Sequence, residues 1–176
     1  MIHETAVIHG PVNMDASVSI GARTRVWPFS SVIRNARVGS DCSLATAAIL
    51  DGSTVGDRCI LSHGCFVDPG IEIHNDVFVG PFVSLCNDGW PRADKQDFDM
   101  QALIDGRFVT TIIHSRASIG ASAVVLAGVV VGVGAMIAAR AVVDRNVPAG
   151  HLFKRDGTCV PVLDGMIRRM RAARAD

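Results

Sequence analysis

An aliphatic residue returns every sixth position from Ile2 through Leu44, again from Ile49 through Leu85, and once more from Ile113 through Val143. A period of six fits neither an amphipathic helix nor an ordinary strand. It is the pattern of a hexapeptide-repeat parallel β-helix, in which three hexapeptides close one triangular coil. The 21 repeats amount to about seven coils.

A second series supports the first: the residue two places before each aliphatic is usually small, as at Thr24, Ala36, Cys42, Ala47, Cys59, Cys65, Ala117 and Ala135. One large and one small inward side chain per edge fill a triangular coil, and stacked coils bury a continuous core. Gly21, Gly39, Gly56, Gly80, Gly120 and Gly132 each follow a core aliphatic directly, where a tight corner favours a residue without Cβ. The spacing places a one-residue slip between Leu44 and Ile49, which shortens one corner there. The chain therefore reads as an all-β parallel β-helix over residues 1–150, followed by a C-terminal extension over 151–176.

Composition narrows the function classes. No apolar run is long enough to span a bilayer, and the opening MIHETAVIHG lacks the basic-then-apolar pattern of a secretory signal. Five cysteines without a CxxC pair fit a reducing, cytoplasmic setting, and Cys42, Cys59 and Cys65 read as small core residues. Lys and Arg total 17 against 17 Asp and Glu, with no basic stripe, so neither nucleic acid nor an anionic membrane is an expected partner. The terminal MIRRMRAARAD reads as a short helix with Met166, Ile167 and Met170 on one side, capping the open end of the stack.

The period fails once. Twenty-eight positions separate Leu85 from Ile113, not a multiple of six, so an excursion over 86–112 must leave the coil. Long loops in compact domains are uncommon and usually functional. At its root stand Asn87 and Asp88, followed by Trp90, Pro91 and Arg92. Asn87 and Asp88 have the chemistry to orient a substrate amine, and Arg92 to bind a phosphate or carboxylate bidentately. The alternative is that an Asn-Asp-Gly run turns the chain and Arg92 pairs with a loop acid.

The hexapeptide array, the run VFVGPFVSLCNDGWPR and the return through ASIGASAVVLAGVVVGVGAMIAARAVV resemble the sugar-nucleotide N-acetyltransferases of the left-handed β-helix superfamily. The likeness covers residues 1–150, and its NDxxPR element is the discriminating part. It implies a left-handed coil and a homotrimer with active sites between subunits. It also implies transfer of an acetyl group from acetyl-CoA to the amine of a nucleotide-linked amino sugar, of the 3-amino-3,6-dideoxyhexose kind, in O-antigen or other glycan assembly. On that reading Asn87 and Asp88 hold the amine, with Asp68, Trp90 and Arg92 supporting the substrate. His114 and His63 are the first candidates for a base, while His74 lies next to a core position like them. Gly128, Ala139, Lys154 and Arg155 are the candidate donor contacts. Two departures touch the donor side: Ala138-Ala139-Arg140 stands where the group usually has a glycine, and HLFKRDGTCVPVL replaces its usual closing segment.

Two other readings stay open. One is a non-catalytic β-helix trimer that binds a sugar nucleotide or a protein partner. The other is a metal enzyme like the γ-class carbonic anhydrases, but the chain lacks their His-x4-His pair, and His3 and His9 lie in the first coil, so no metal is expected.

Overall fold

The computed structural model describes residues 1–94 and 99–162. Its strands are two or three residues long and form three sheets, one for each face of a triangular solenoid. The first face stacks Val7–Ile8, Arg25–Val26, Ser43–Leu44, Ile60–Leu61, Phe78–Val79, Ser118–Ile119, Met136–Ile137 and His151–Phe153 in parallel. The second runs from Asn13–Met14 to Val142–Val143, with Ile49–Asp51 and Ser84–Leu85 between. The third runs from Ser19–Ile20 through Thr54–Val55, Ile71–Ile73 and Thr111–Ile113 to Val130–Val131. Each strand is followed by one of the next face, so the turns line up as three ridges along the axis.

From Ser19–Ile20 onward the second position of each two-residue strand points inward. Val26, Leu44, Leu61, Val79, Ile119 and Val143 are fully buried, and Ala36, Cys59, Cys65, Ala123 and Ala141 fill the small positions beside them. Burial pushes the Cys65 thiol up to about 12, which marks it as an inert packing group. The stack continues past the last sequence repeat: Val147 and Phe153 are buried, and Cys159–Pro161 pairs antiparallel with His151–Phe153 to close that end of the first face. The helix expected over the terminal arginines lies outside the described residues.

The slip falls elsewhere than its expected place. Val32 and Leu44 lead to Leu50, which is fully buried and pairs in register with Val67, while Ile49 is only half-buried. The shortened corner comes after Leu50, at Asp51-Gly52, with Gly52 at φ +53°. Ala48, not Ala47, is therefore the small core residue of that edge. Two adjacent aliphatics gave the period two admissible phases. The Arg34 guanidinium settles it by pairing bidentately with Asp51, which is buried at the corner.

The corner glycines also have another cause than a tight turn. None of the six has a left-handed φ; that conformation falls two residues later, on Arg23, Asp41, Arg58, Phe82, Ser122 and Gly134. What excludes a side chain is the next coil. A Cβ at Gly80 would lie 2.8 Å from the Ala121 amide nitrogen and the Ile119 carbonyl oxygen. On the ridge between the third and first faces, Arg23 with Asp41 and Arg58 with Asp76 bridge successive coils. Each guanidinium holds its partner carboxyl below the usual range, a contribution lost as pH falls through those depressed values and small because the pairs are exposed.

The register has a direct test. Leu50→Ala is expected to lower unfolding stability by about 2–5 kcal/mol in denaturant titrations, as for a buried leucine. Ile49→Ala is expected to cost well under half as much; equal costs would return the slip to its sequence-derived place.

Candidate active site

The excursion leaves and re-enters at one ridge, between the second and third faces. The coil ends its second-face strand at Leu85, departs through Cys86 and Asn87, and returns at Thr110 to begin the third-face strand Thr111–Ile113. Stitching holds both ends. The Thr111 hydroxyl donates to the Cys86 carbonyl (3.3 Å), and the Thr110 amide donates to the Gly70 carbonyl (2.8 Å). Inside the loop, helix Met100–Ile104 starts at Asp99, whose carboxylate accepts from the Ala102 amide. Its Leu103 is buried against Gly70, and Ile104 lies over Gly52, so the loop folds back over the corners of the two preceding coils.

At this ridge the turn residues of successive coils form a column: Arg34, Asp51-Gly52, Asp68-Pro69, Asn87-Asp88, and Ala127-Gly128. Asn87 is buried, and its Nδ2 donates to the Pro69 carbonyl one coil back (3.1 Å). The Asp88 carboxylate accepts from the Trp90 amide (2.9 Å), turning the chain outward and leaving the Trp90 ring 81% exposed. Arg92 gives Nε and Nη2 to Asp94 at 2.7 and 2.6 Å, so of its two sequence readings the structure shows the pair with a loop acid.

The histidines occupy the other two ridges. His63 is exposed on the ridge between the first and second faces. Ala139 and Lys154 follow on that same ridge toward the C-terminal end, joined by the Ala138 amide to the Phe153 carbonyl (2.8 Å), with Arg155 beside them. His63 stands four coil steps from Lys154, roughly 19 Å at β-ladder spacing. Gly128 lies instead next to Asn87-Asp88. The donor candidates are thus divided between two ridges.

His114 belongs to the ridge between the third and first faces, where it meets His74, which the sequence ranks behind His114 and His63 as a base. The residues that follow the third-face aliphatics are Gly21, Gly39, Gly56, His74, His114 and Gly132, with His3 at the same position after Ile2 in the first turn. His74 and His114 are the two that stand on neighbouring coils. Their Nδ1 atoms are 3.3 Å apart, with the rings edge to face. Glu72, on the outer surface of the third face, lies 3.9 Å from His74 Nε2. Thr54, Glu72, His74, Asn75 and Ser115 line an open cleft of about 300 Å³ there. Forty sequence positions hide this contact, but counting the excursion out of the period puts both histidines at one hexapeptide position in neighbouring coils.

The third face therefore joins two groups. Asn87 and Asp88 stand at one edge and His114 with His74 at the other, separated by strand Thr111–Ile113, about 10 Å of backbone. His63 lies on the opposite ridge and does not join them within one chain. Among the described residues no group of three or more His, Cys, Asp or Glu side chains converges as a metal site requires, and no helix is long and apolar enough to cross a membrane.

No protein-family model matches the chain. It is 24% identical to the bifunctional protein GlmU of Koribacter versatilis across 90% of this chain and 41% of that protein, and 27% identical to GlmU of Burkholderia thailandensis across 89% and 37%. The chain thus spans about two fifths of the length of these curated relatives. Among solved structures it is similar to the acetyltransferase domain of PglB from Neisseria gonorrhoeae in complex with acetyl coenzyme A (TM-score 0.56, 19% identity, 89% of this chain and 57% of that one). It is also similar to a variant of GDP-perosamine N-acetyltransferase from Caulobacter crescentus in complex with CoA and GDP-perosamine (TM-score 0.51, 21% identity, 87% and 51%). Both neighbours are acetyltransferases, and the β-helix they share with this chain is the fold that the sequence resemblance implies.

If Asn87 anchors the loop root, Asn87→Ala is expected to lower unfolding stability by about 1–2 kcal/mol, the cost of orphaning a buried carbonyl. Arg92→Ala, which breaks only an exposed pair, is expected to leave the denaturation midpoint in place.

Proposed function

We propose that this protein transfers an acetyl group from acetyl-CoA to the amino group of a nucleotide-linked amino sugar, over the third face of the solenoid. The observation that carries the reading is the placement of the lone excursion. It starts from a rigid coil corner and sets Asn87 and Asp88 at one edge of a face whose other edge bears paired imidazoles beside an open cleft. The sugar-nucleotide acetyltransferases among the structural neighbours give the substrate class.

The chemistry needs a neutral amine near the thioester carbon and an acceptor for its proton. Asn87 and Asp88 hold the sugar amine, with Asp68 one coil away on the same ridge. The amine nitrogen attacks the thioester carbonyl carbon, one N–H proton passes to His114, and the C–S bond breaks. The departing thiolate takes that proton back, giving the amide and free CoA. The Gly128 corner is the nearer of the donor contacts; Ala139, Lys154 and Arg155 take the far end of CoA from the other ridge.

One chain leaves the cleft open and His63 on the wrong side, so the reading includes a homotrimer in which a neighbouring copy covers the third face and can present its own first–second ridge. The sugar is a 3-amino-3,6-dideoxyhexose on a nucleoside diphosphate, made for glycan assembly in the cytoplasm.

A non-catalytic trimer that binds a sugar nucleotide or a protein partner is the second reading. It is favoured by the engagement of Arg92 with Asp94 and of Asn87 with Pro69, which gives both side chains structural work. Thiol release from acetyl-CoA, measured against dTDP-, UDP- and GDP-linked 3-amino and 4-amino sugars, separates the two. Turnover with one sugar that falls about 100-fold in Asp88→Ala supports the transferase. Nucleotide-sugar binding without turnover supports the binding protein.

A further inference from the structure

We infer that Glu72 and His74 are positioning residues that fix the tautomer of His114, leaving His114 Nε2 as the proton acceptor at the third face. The inference rests on the acyl-transfer reading and adds to it a positioning role for Glu72 and His74.

A neutral imidazole has one N–H and one lone pair, and which nitrogen carries the hydrogen is set by what the other meets. Two Nδ1 atoms at 3.3 Å form a hydrogen bond only if one donates and the other accepts. The bond by itself does not choose between them, but Glu72 does. Its carboxylate, 3.9 Å from His74 Nε2, favours the hydrogen on that nitrogen and so leaves His74 Nδ1 with the lone pair. His74 Nδ1 then accepts, His114 Nδ1 donates, and the free lone pair of His114 is on Nε2. The order runs Glu72 carboxylate, His74, His114, the first link electrostatic at 3.9 Å and the second a hydrogen bond between the rings.

The setting agrees with a built relay rather than a chance contact. The two rings stand on neighbouring coils at a position that is glycine in the coils on either side, Gly56 and Gly132, and His74 lines the cleft. When His114 Nε2 takes the amine proton, the resulting imidazolium keeps its Nδ1–H on His74, whose other nitrogen faces Glu72, so the new charge is met by a carboxylate two links away. Of the other charged groups of the ridge, Arg23 pairs with Asp41, Arg58 with Asp76, and Asp57 accepts from the Ser40 amide, while Arg116 lies near Asp76.

The test is histidine side-chain ¹⁵N NMR on the full-length protein at about pH 9, above the ordinary histidine range. It is run beside steady-state kinetics with the acetyl-accepting sugar nucleotide. His114 is expected as the Nδ1–H tautomer. His74→Leu removes the acceptor and is expected to release His114 to mixed tautomers and to lower kcat at least 10-fold with KM unchanged. His74→Asn places an amide oxygen near the lost Nδ1 and is expected to restore both, which a purely packing role would not explain. His9, stacked on Trp27 near the first coil, serves as the internal reference and should not shift. The inference is overturned if His114 carries its hydrogen on Nε2, or if its Nδ1–H form persists unchanged in both His74→Leu and Glu72→Gln. Should the tautomer pattern hold while no amino-sugar nucleotide turns over, the acyl-transfer reading fails and the positioning of His114 by His74 and Glu72 stands.

Discussion

Coil-on-coil backbone hydrogen bonding is the constraint on which the rest of this structure depends. Each strand is too short to be stable alone, and inside the stack it is held by the strand one turn before and one turn after, at the spacing of a parallel ladder. At several corners this brings successive backbones so close that even a methyl group is excluded, as at Gly21, Gly39 and Gly80. A ladder of this kind turns sequence position into spatial address: residues one coil apart become neighbours on a ridge, whatever their chemistry. The functional surface is a consequence of that addressing.

The addressing explains why the candidate residues separate as they do. Asp68, Asn87-Asp88 and Gly128 share a ridge because they are turn residues between the same two faces. His74 and His114 share another, and His63, Ala139 and Lys154 the third. Every face thus has candidate groups at its edges; the third is set apart by the excursion root at one edge and the paired imidazoles beside a cleft at the other. The excursion is also well held: Asn87, Thr110, Thr111 and Leu103 tie it to the coils it crosses. A loop so attached can aim side chains with the precision of the scaffold, which is what chemistry at a flat β-surface requires.

Much of this was legible in the residues. The six-residue period gave the solenoid, the small-residue series gave the filling of its edges, and the broken period gave the loop and its root. What escaped had physical reasons. Ile49 and Leu50 are both aliphatic, so hydropathy cannot choose which faces in; the choice is made by Arg34 reaching Asp51, a contact between neighbouring coils. The glycines were found in the right places for the wrong cause, because the approach of the next coil is a tertiary fact. The His74–His114 contact was hidden by an intervening loop that occupies sequence but no length along the axis. Arg92 has the chemistry of an anion clamp, yet the nearest carboxylate, Asp94, is two residues away and holds it.

The central claim is that catalysis occurs over the third face, between Asp88 and His114. The most direct measurement is a crystal structure of the assembled protein with CoA and an amino-sugar nucleotide bound. The account requires the sugar amine over strand Thr111–Ile113, within hydrogen-bond reach of the Asn87-Asp88 root, with a neighbouring copy closing the cleft. Ligands seated over the first or second face, with the third face bare, would contradict it.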